Sequence, residues 1–343
     1  MVTGQGDSHA QETHARWAVV MTVREPVALV EANVRWHLAA GAHEVFVFLD
    51  DPQDSGAARL SKIKGCHVQL CDAAYWTQRR PQKGRPPSQM RRQTINANVA
   101  QRRTDAAWLF HIDADEFIWQ DGDLGAELAL LTDPGTELNL PVLERLFPQE
   151  EAPHVFAGAF RVTGDLSEAD AARAYAPFER FMKRGQYSHG AGKSGVRVGA
   201  GLRLGVHNAT VRRGDTWRRA PKQVSRSARL LHFDGLTPLH WAMKFLRYQM
   251  TSSQVQSAIL QPHRAAQIEW MMDRCNTMAQ IEAAHRTLFA LDPARVAQLS
   301  AFDLLAEVPF DPQQIIGVDL SPAAFDADLL VRNPWLSELL DAG

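Results

Sequence analysis

The residues best placed to do chemistry lie in Ala106–Trp119, AAWLFHIDADEFIW. Ala107, Trp108, Leu109 and Phe110 read as a buried strand of a central sheet. Three carboxylates follow within four positions, Asp113, Asp115 and Glu116, before the chain turns apolar again at Phe117, Ile118 and Trp119. In an extended segment alternate side chains share a side. Asp113 and Asp115 then project together, about 6–7 Å apart, and Glu116 alternates away. Two unpaired carboxylates that close repel each other, and burying them without a counter-ion is costly. A divalent cation of the Mg2+ or Mn2+ type, bound by oxygen ligands, removes that cost. The plainer alternative is a strand ending in solvated acids, but apolar residues flank these acids on both sides.

The elements that must position this stretch precede it. Trp17–Val23 (WAVVMTV) is a buried strand, followed by Arg24, Glu25 and Pro26, a proline suited to a helix's first turn. Val30, Val34 and Leu38 step at helical spacing until Gly41, and Glu44–Leu49 (EVFVFL) is a second strand ending in Asp50 and Asp51. A strand–helix–strand unit means parallel strands joined by a right-handed crossover, the opening of an α/β sheet. Ligands of such sheets sit at the carboxyl ends of the strands. Arg24–Glu25, Asp50–Asp51 and Asp113–Asp115 all fall at such ends, so they are expected to converge on one edge.

Ala57–Lys64 can form a short helix and His67–Cys71 a third strand. Gln78–Arg103 then carries Arg79, Arg80, Lys83, Arg85, Arg91, Arg92, Arg102 and Arg103 with no acid. Its first half reads as a loop and Ser88 onward as a helix leading to the acidic strand. A positive run there suits an anion such as a diphosphate, with Arg91 and Arg92 nearest the helix start. The run holds no interleaved aromatic residue, which argues against a nucleic-acid groove.

Downstream, Glu137–Leu143 reads as a further strand with Glu144 just beyond, and Pro177–Arg184 as a helix or strand. Ser188–His207 (SHGAGKSGVRVGAGLRLGVH) is glycine-rich, a pattern of close backbone approach or of a loop that orders on binding. After Asp234 the pattern becomes helical. Pro238–Met250 carries Trp241, Phe245 and Tyr248 among Lys244 and Arg247, and Ala265–Leu291 reads as one long amphipathic helix. Its methionine stripe is expected to pack on the sheet domain. The tail from Pro309 is broken by Pro312, Pro322 and Pro334.

Arg24–Glu25, Trp36–His37, Asp50–Gly56, Arg92–Gln93 and Trp108–Phe117 occur in an order that resembles a known family. It is that of the glycosyltransferase family 2-like proteins of the GT-A fold, in the branch with an Asp-x-Asp-Glu-Phe metal motif. The resemblance covers about Trp17–Asp234. Arg24–Glu25 stands where the family usually has Asn-Glu, and Asp51 where it often has Asn.

The resemblance implies a Rossmann-type mixed sheet flanked by helices over residues 17–235. A helical C-terminal extension over 236–343 would pack on it, with a disordered N-terminus over 1–16. It implies an enzyme that moves a sugar from a nucleotide-sugar donor, a UDP-sugar foremost, to a glycan or other hydroxyl acceptor, with inversion, as in polysaccharide biosynthesis. Asp113 and Asp115 would hold Mn2+ or Mg2+ against the donor diphosphate, with His207 or His232 as a late histidine ligand. Glu25, Asp50 and Asp51 would contact the donor, and Arg92 its phosphates. Lys193 and Arg197, in a segment similar to the family's Lys-Ser-x-x-Arg, would face the phosphates too. An inverting transfer needs a carboxylate base; Glu144 is the nearest acid after the metal strand, with Asp165 and Glu179 as rivals.

Composition sets the remaining expectations. The 343 residues exceed one average domain, the hydrophobic fraction of 45% supports a real core, and a net charge of −2 gives no global pull toward nucleic acid. Three cysteines form neither a zinc pattern nor an even disulfide framework, which points to a reducing compartment. The first sixteen residues are polar and no run approaches the ~18–20 apolar residues of a membrane span, so a cytoplasmic protein with peripheral membrane contact left open is expected. Two rivals remain, a metal-dependent phosphohydrolase and a non-catalytic nucleotide-sugar-binding protein. Hydrolysis of simple phosphate esters marks the first; donor binding without turnover marks the second.

Overall fold

A computed structural model describes residues 13–148, 152–249, 261–275, 277–317 and 319–337. The disordered N-terminus expected from the sequence and the last part of the tail therefore lie mostly outside the described residues.

Strand β1 (Trp17–Val23) is buried along its whole length, as a central parallel strand must be. Helix Val27–Ala39 returns the chain to β2 (Glu44–Leu49) and ends at Gly41, whose φ of +98° is a conformation that side chains other than glycine rarely adopt. Next come β3 (Cys66–Leu70), helix Gln89–Gln101 with Ser88 as its cap, and β4 (Trp108–His111). β2 and β4 both pair with β1 in parallel, and β3 pairs with β2 in parallel. The chain steps outward from β1 to β3 and then returns to the other side of β1. That makes the carboxyl edge between β1 and β4 the topological switch point, where such sheets form a crevice.

The acidic stretch does not continue as one strand. β4 ends at His111, residues 112–115 turn, and β5 (Glu116–Gln120) enters a different sheet. The stretch expected over Glu137–Leu143 divides in the same way into β6 (Glu137–Leu140) and β7 (Val142–Pro148), parted at Pro141, which has no N–H to give a ladder. β8 (Ala159–Arg161), β9 (Lys193–Arg197), β10 (Leu202–Leu204), β11 (Ala209–Arg213), β12 (Thr216–Arg219), β13 (Lys222–Val224) and β14 (Ala228–His232) complete the three sheets, with short additions near the C-terminus. The first sheet has the order β13-β6-β9-β4-β1-β2-β3, and β9 runs antiparallel to both β4 and β6. The second contains β8, β7, β14 and β5, and the third is the antiparallel set β10-β11-β12.

Both faces of the first sheet are covered. Val19, Met21 and Val23 pack with helix Val27–Ala39, with Phe117 and Leu230 of the second sheet and with Phe233 just past β14, while Ala18 and Val20 face Ala97, Val99 and Ala100 of helix Gln89–Gln101. The expected α/β architecture, a Rossmann-type mixed sheet flanked by helices, is what the chain forms. Ala265–Leu291 is not one helix: Pro262–Met272 and Met278–Phe289 are separate, the second opened by a capping box at Thr277 and Gln280. Ile268, Met271, Ile281 and Leu288 bury with Trp241 and Phe245 of helix Pro238–Gln249, whereas Met272 is exposed. Pro177–Arg184 holds the 3-10 turn Glu179–Phe181 and, at Lys183, an isolated antiparallel bridge to Gln186. No helix among the described residues is long and apolar enough to cross a membrane.

Candidate metal and donor site

The 112–115 turn is fixed from below by helix Val27–Ala39. Asn33 donates to the carbonyls of Ala114 and Glu116 at 3.1 and 2.7 Å, and the Trp36 indole donates to Ile118 O at 2.9 Å. His37 Nε2 accepts from Ile118 N at 3.0 Å while its Nδ1 faces Asn33 O at 2.7 Å. A carbonyl only accepts, so the ring is neutral and protonated on Nδ1. Trp36 and His37 therefore serve the site as scaffold.

Because the segment turns, Glu116 does not alternate away from Asp113 and Asp115. Its Oε2 accepts from Asp113 N at 2.7 Å, and the side chain is fully buried in the same cluster. The two aspartates are not left as an unpaired couple. Asp113 accepts from Lys193 Nζ at 2.6 Å and from Gln93 at 2.7 Å. Asp115 is paired with Lys244 of helix Pro238–Gln249, which also lies 3.3 Å from Asp234. Arg264 holds the other side of Asp234 at 2.6 Å. Burial alone would raise the carboxyls of Asp113 and Glu116, but Lys193 holds Asp113 low and Glu116 well below the usual carboxylate range. The two acids in turn keep the enclosed Lys193 charged.

One group of ligand atoms does converge. Glu116, His189 and His232 each present one within 4.8 Å of the others. Glu116 Oε1 is buried with no hydrogen-bond partner and lies 3.5 Å from His189 Nε2. His232 Nε2 stands 3.9 Å from Asp115 Oδ2. Two imidazoles and a carboxylate with an orphaned oxygen fit a cation of the Mn2+ or Zn2+ type better than Mg2+, which prefers oxygen alone.

The orientation of His232 is set by a buried chain. Glu144 is fully enclosed, ion-paired with Arg161, and accepts from Tyr187 N at 3.0 Å and Ser188 N at 2.8 Å. Arg161 outweighs burial and holds this carboxyl low, so it is an ionised acceptor. The Ser188 hydroxyl donates its one proton to Glu144 Oε1 at 2.7 Å and so accepts from His232 Nδ1–H at 2.9 Å. That tautomer leaves the Nε2 lone pair facing the cluster.

These contacts correct several expectations. Glu144 is enclosed and committed to four donors, so it is not a base open to an acceptor. His207 meets His189 edge-on with ring centroids 4.3 Å apart, but its Nδ1 is engaged with Gly192 O at 3.2 Å and it is not one of the three converging ligands. Burial, helped by Lys193, pushes its pKa down to about 3. His232, unlike His207, is one of the three converging groups. Lys193 lies beneath the acids with no solvent exposure, placed there because Gly192, at φ +71°, brings the chain against Leu140 O where a side chain would clash. Arg197 sits at the opposite end of β9, in register with Trp108 at the start of β4, and donates to Leu131 O. Arg92 spends its donors on both oxygens of Asp50 at 2.8–3.0 Å and on the carbonyls of Pro86 and Pro87. Glu25 is held by His240 at 3.2 Å and Arg247 at 3.4 Å.

Asp50 and Asp51 open instead onto a cavity of about 490 Å³ at the ends of β2 and β3, lined also by Arg24, Asp72, Trp76 and Arg85. Strands lie about 4.8 Å apart, so this cavity and the acidic turn, separated by the end of β1, are roughly 10–15 Å apart. A larger cavity, about 1280 Å³, lies at the far end of β5 and β14 around Asp121, Leu130 and Ser227, away from these groups. His189 and Lys244 were not legible as site residues. His189 carried only a weak signal, a histidine four residues before Lys193 in the glycine-rich stretch.

No family model matches the sequence and no curated protein matches it. Among solved structures the chain is similar to GalNAc-T7 with UDP, GalNAc and Mn2+, at 9% identity over 77% of this chain, with a TM-score of 0.35. It spans only 57% of the length of that protein. It is also similar to the mannosyltransferase PcManGT from Pyrobaculum calidifontis in complex with GDP-Man and Mn2+, at 12% identity over 97% and 85% of the two chains and a TM-score of 0.33. A third is HddC from Yersinia pseudotuberculosis, at 8% identity over 66% and 97% of the chains and a TM-score of 0.33. Scores of this size establish no activity for this chain.

Proposed function

We propose that the chain is a metal-dependent glycosyltransferase of the GT-A type, moving a sugar from a nucleotide-sugar donor to a hydroxyl acceptor. One observation carries this reading. A ligand group of Glu116, His189 and His232 and the cavity bearing Asp50 and Asp51 lie on the same carboxyl edge of the parallel strands, roughly 10–15 Å apart, a span that suits a whole nucleoside diphosphate. The five motifs that resemble the family, which include Asp50, Asp51 and Glu116, support it.

In this reading Asp50, Asp51 and Asp72 accept from the nucleoside's hydroxyl groups. Arg24 faces the phosphates, Arg85 lines the same cavity while paired with Asp50 at 3.0 Å, and Trp76 forms an apolar wall. Glu116, His189 and His232 hold the cation, with Asp115 beside them. A bound cation supplies positive charge to the departing nucleoside diphosphate. Lys193 keeps Asp113 ionised, and the ion pairs with Lys193 and Lys244 fix the two aspartates in place, so the field at the leaving group is set before the donor arrives. Inversion rests on the resemblance alone, and the anomeric configuration of the product tests it.

A second reading, a nucleotide-sugar-binding protein without turnover, is favoured by one observation: Asp113, Asp115 and Glu144 are each already in an ion pair. The deciding experiment is a thermal-shift series of nucleoside diphosphates and nucleotide sugars with and without Mn2+, followed by an assay of nucleoside diphosphate release. A ligand that binds only the native state raises stability by mass action. A Mn2+-dependent shift with release supports the transferase. A shift without release with any acceptor supports the binder, and no shift with any nucleotide removes both.

A further inference from the structure

We propose that the β11–β12 hairpin is a docking surface for an anionic lipid bilayer. The hairpin leaves the fold just past His207, whose carbonyl accepts from Ser194 Oγ at 3.1 Å. At its base Leu204 and Ala209 are buried, and exposure rises along β11 until every residue of β12 is exposed. From Ala209 to Arg213 it extends about 13 Å.

Its charge is out of keeping with the rest of the chain. Residues 203–222 carry Arg203, Arg212, Arg213, Arg218, Arg219 and Lys222 against Asp215 alone. This net +5 sits in a protein of net −2, so the remaining residues stand at −7. The acid offsets little, since it lies 3.6 Å from Arg212 at a fully exposed turn.

The antiparallel register sorts the side chains by face. Arg212 lies opposite Trp217, Thr210 opposite Arg219, and Arg203 opposite Thr210. Arg203, Arg212, Trp217 and Arg219 therefore share the face opposite to Leu202, Val211 and Leu204. Arg203 lies over the Trp217 ring at 3.7 Å, and Trp217 is still 38% exposed. An exposed indole flanked by guanidinium groups suits the headgroup level of a membrane, where Trp is enriched and basic residues meet anionic lipid. Trp217 is the one aromatic ring among these basic groups of residues 203–222, whereas a single nucleic-acid strand is met by several stacking aromatics, which favours the bilayer. The inference does not rest on the catalytic reading.

The test is co-sedimentation of the intact protein with vesicles of phosphatidylcholine alone and of phosphatidylcholine with phosphatidylglycerol, at near-physiological ionic strength. Binding to the anionic vesicles only is expected. Each arginine removed should weaken it by roughly fivefold, so Arg212→Ala with Arg219→Ala should weaken it by more than tenfold. Trp217→Ala should lower binding on its own and abolish part of the indole quenching by brominated lipid. These side chains are exposed, so circular dichroism should show the variants folded. Equal binding to both vesicles, no binding to either, or undiminished binding by the double variant would overturn the proposal. Binding to heparin or duplex DNA with none to the vesicles would overturn it as well.

Discussion

Lys193 donates to Asp113 Oδ2 at 2.6 Å from a position with no solvent exposure, 80 residues away in sequence. The same ammonium lies 3.3 Å from Glu116, so one lysine is shared by two of the three acids of the cluster, which keep a net charge of −1 between them. Lys193→Met leaves the enclosed Glu116 and the part-buried Asp113 without it. The expected cost is about 3–5 kcal/mol, read as a lower urea midpoint. A loss under about 1 kcal/mol would show that Lys193 does not carry this charge balance.

Glu116→Gln keeps the shape of the cluster but removes the charge of its carboxylate ligand. Mn2+ affinity measured by calorimetry should fall at least tenfold while His189 and His232 remain. Asp115→Asn, which removes an acid 3.9 Å from His232 but not one of the three ligands, should weaken it less. The reverse order would return the aspartates to the role that the sequence pattern suggests.

Glu144→Gln and Ser188→Ala separate two uses of one chain of hydrogen bonds. The glutamine leaves Arg161 buried without its ion-pair partner, and a stability loss of about 3–5 kcal/mol is expected. Ser188→Ala removes the acceptor that fixes His232 as the Nδ1–H tautomer. It should lower Mn2+ affinity about 10–100-fold and change the imidazole nitrogen shifts of His232, with little loss of stability. A stable, metal-binding Glu144→Gln that lacks only turnover would reinstate Glu144 as the base.

His37 gives a pH prediction. Burial lowers its pKa from 6.5 to about 4, with the Asn33 carbonyl opposing. The unfolded chain therefore binds a proton before the native state does. Stability is fully present above pH 6.5 and is lost as pH falls toward 4, by up to about 3 kcal/mol from this group. His37→Gln should flatten that part of the pH profile, and a parallel profile would place the acid sensitivity elsewhere.

The fold was more legible than the site. Trp17–Val23, the helix closed by Gly41 and Glu44–Leu49 follow local rules of periodicity and capping, so their strand ends could be placed on one edge. The Asp113–Glu116 turn follows no local rule. Trp108–Trp119 looks like one buried run because β4 and β5 are both buried, and only the partners of each show that they belong to different sheets. Pro141 was a visible sign of the similar break between β6 and β7. The counter-ions were out of reach of local pattern, since Lys193 and Lys244 join Asp113 and Asp115 across 80 and 129 residues. Arg92 shows the converse: its type suited a phosphate, but Asp50 already holds it.

Lys244 and Arg247 join helix Pro238–Gln249 to Asp115 and Glu25, and Arg264 reaches Asp234 from the helix after it. A ribosome that has made everything through Asp234 has therefore made all the strands of the parallel edge but none of these three cations. The nascent site would hold its acids without those counter-charges until the next thirty or so residues have left the exit tunnel. Maturation of the site is thus timed by translation of a segment outside the sheets, and a chain truncated after β14 would keep the acids but not the charges that settle them.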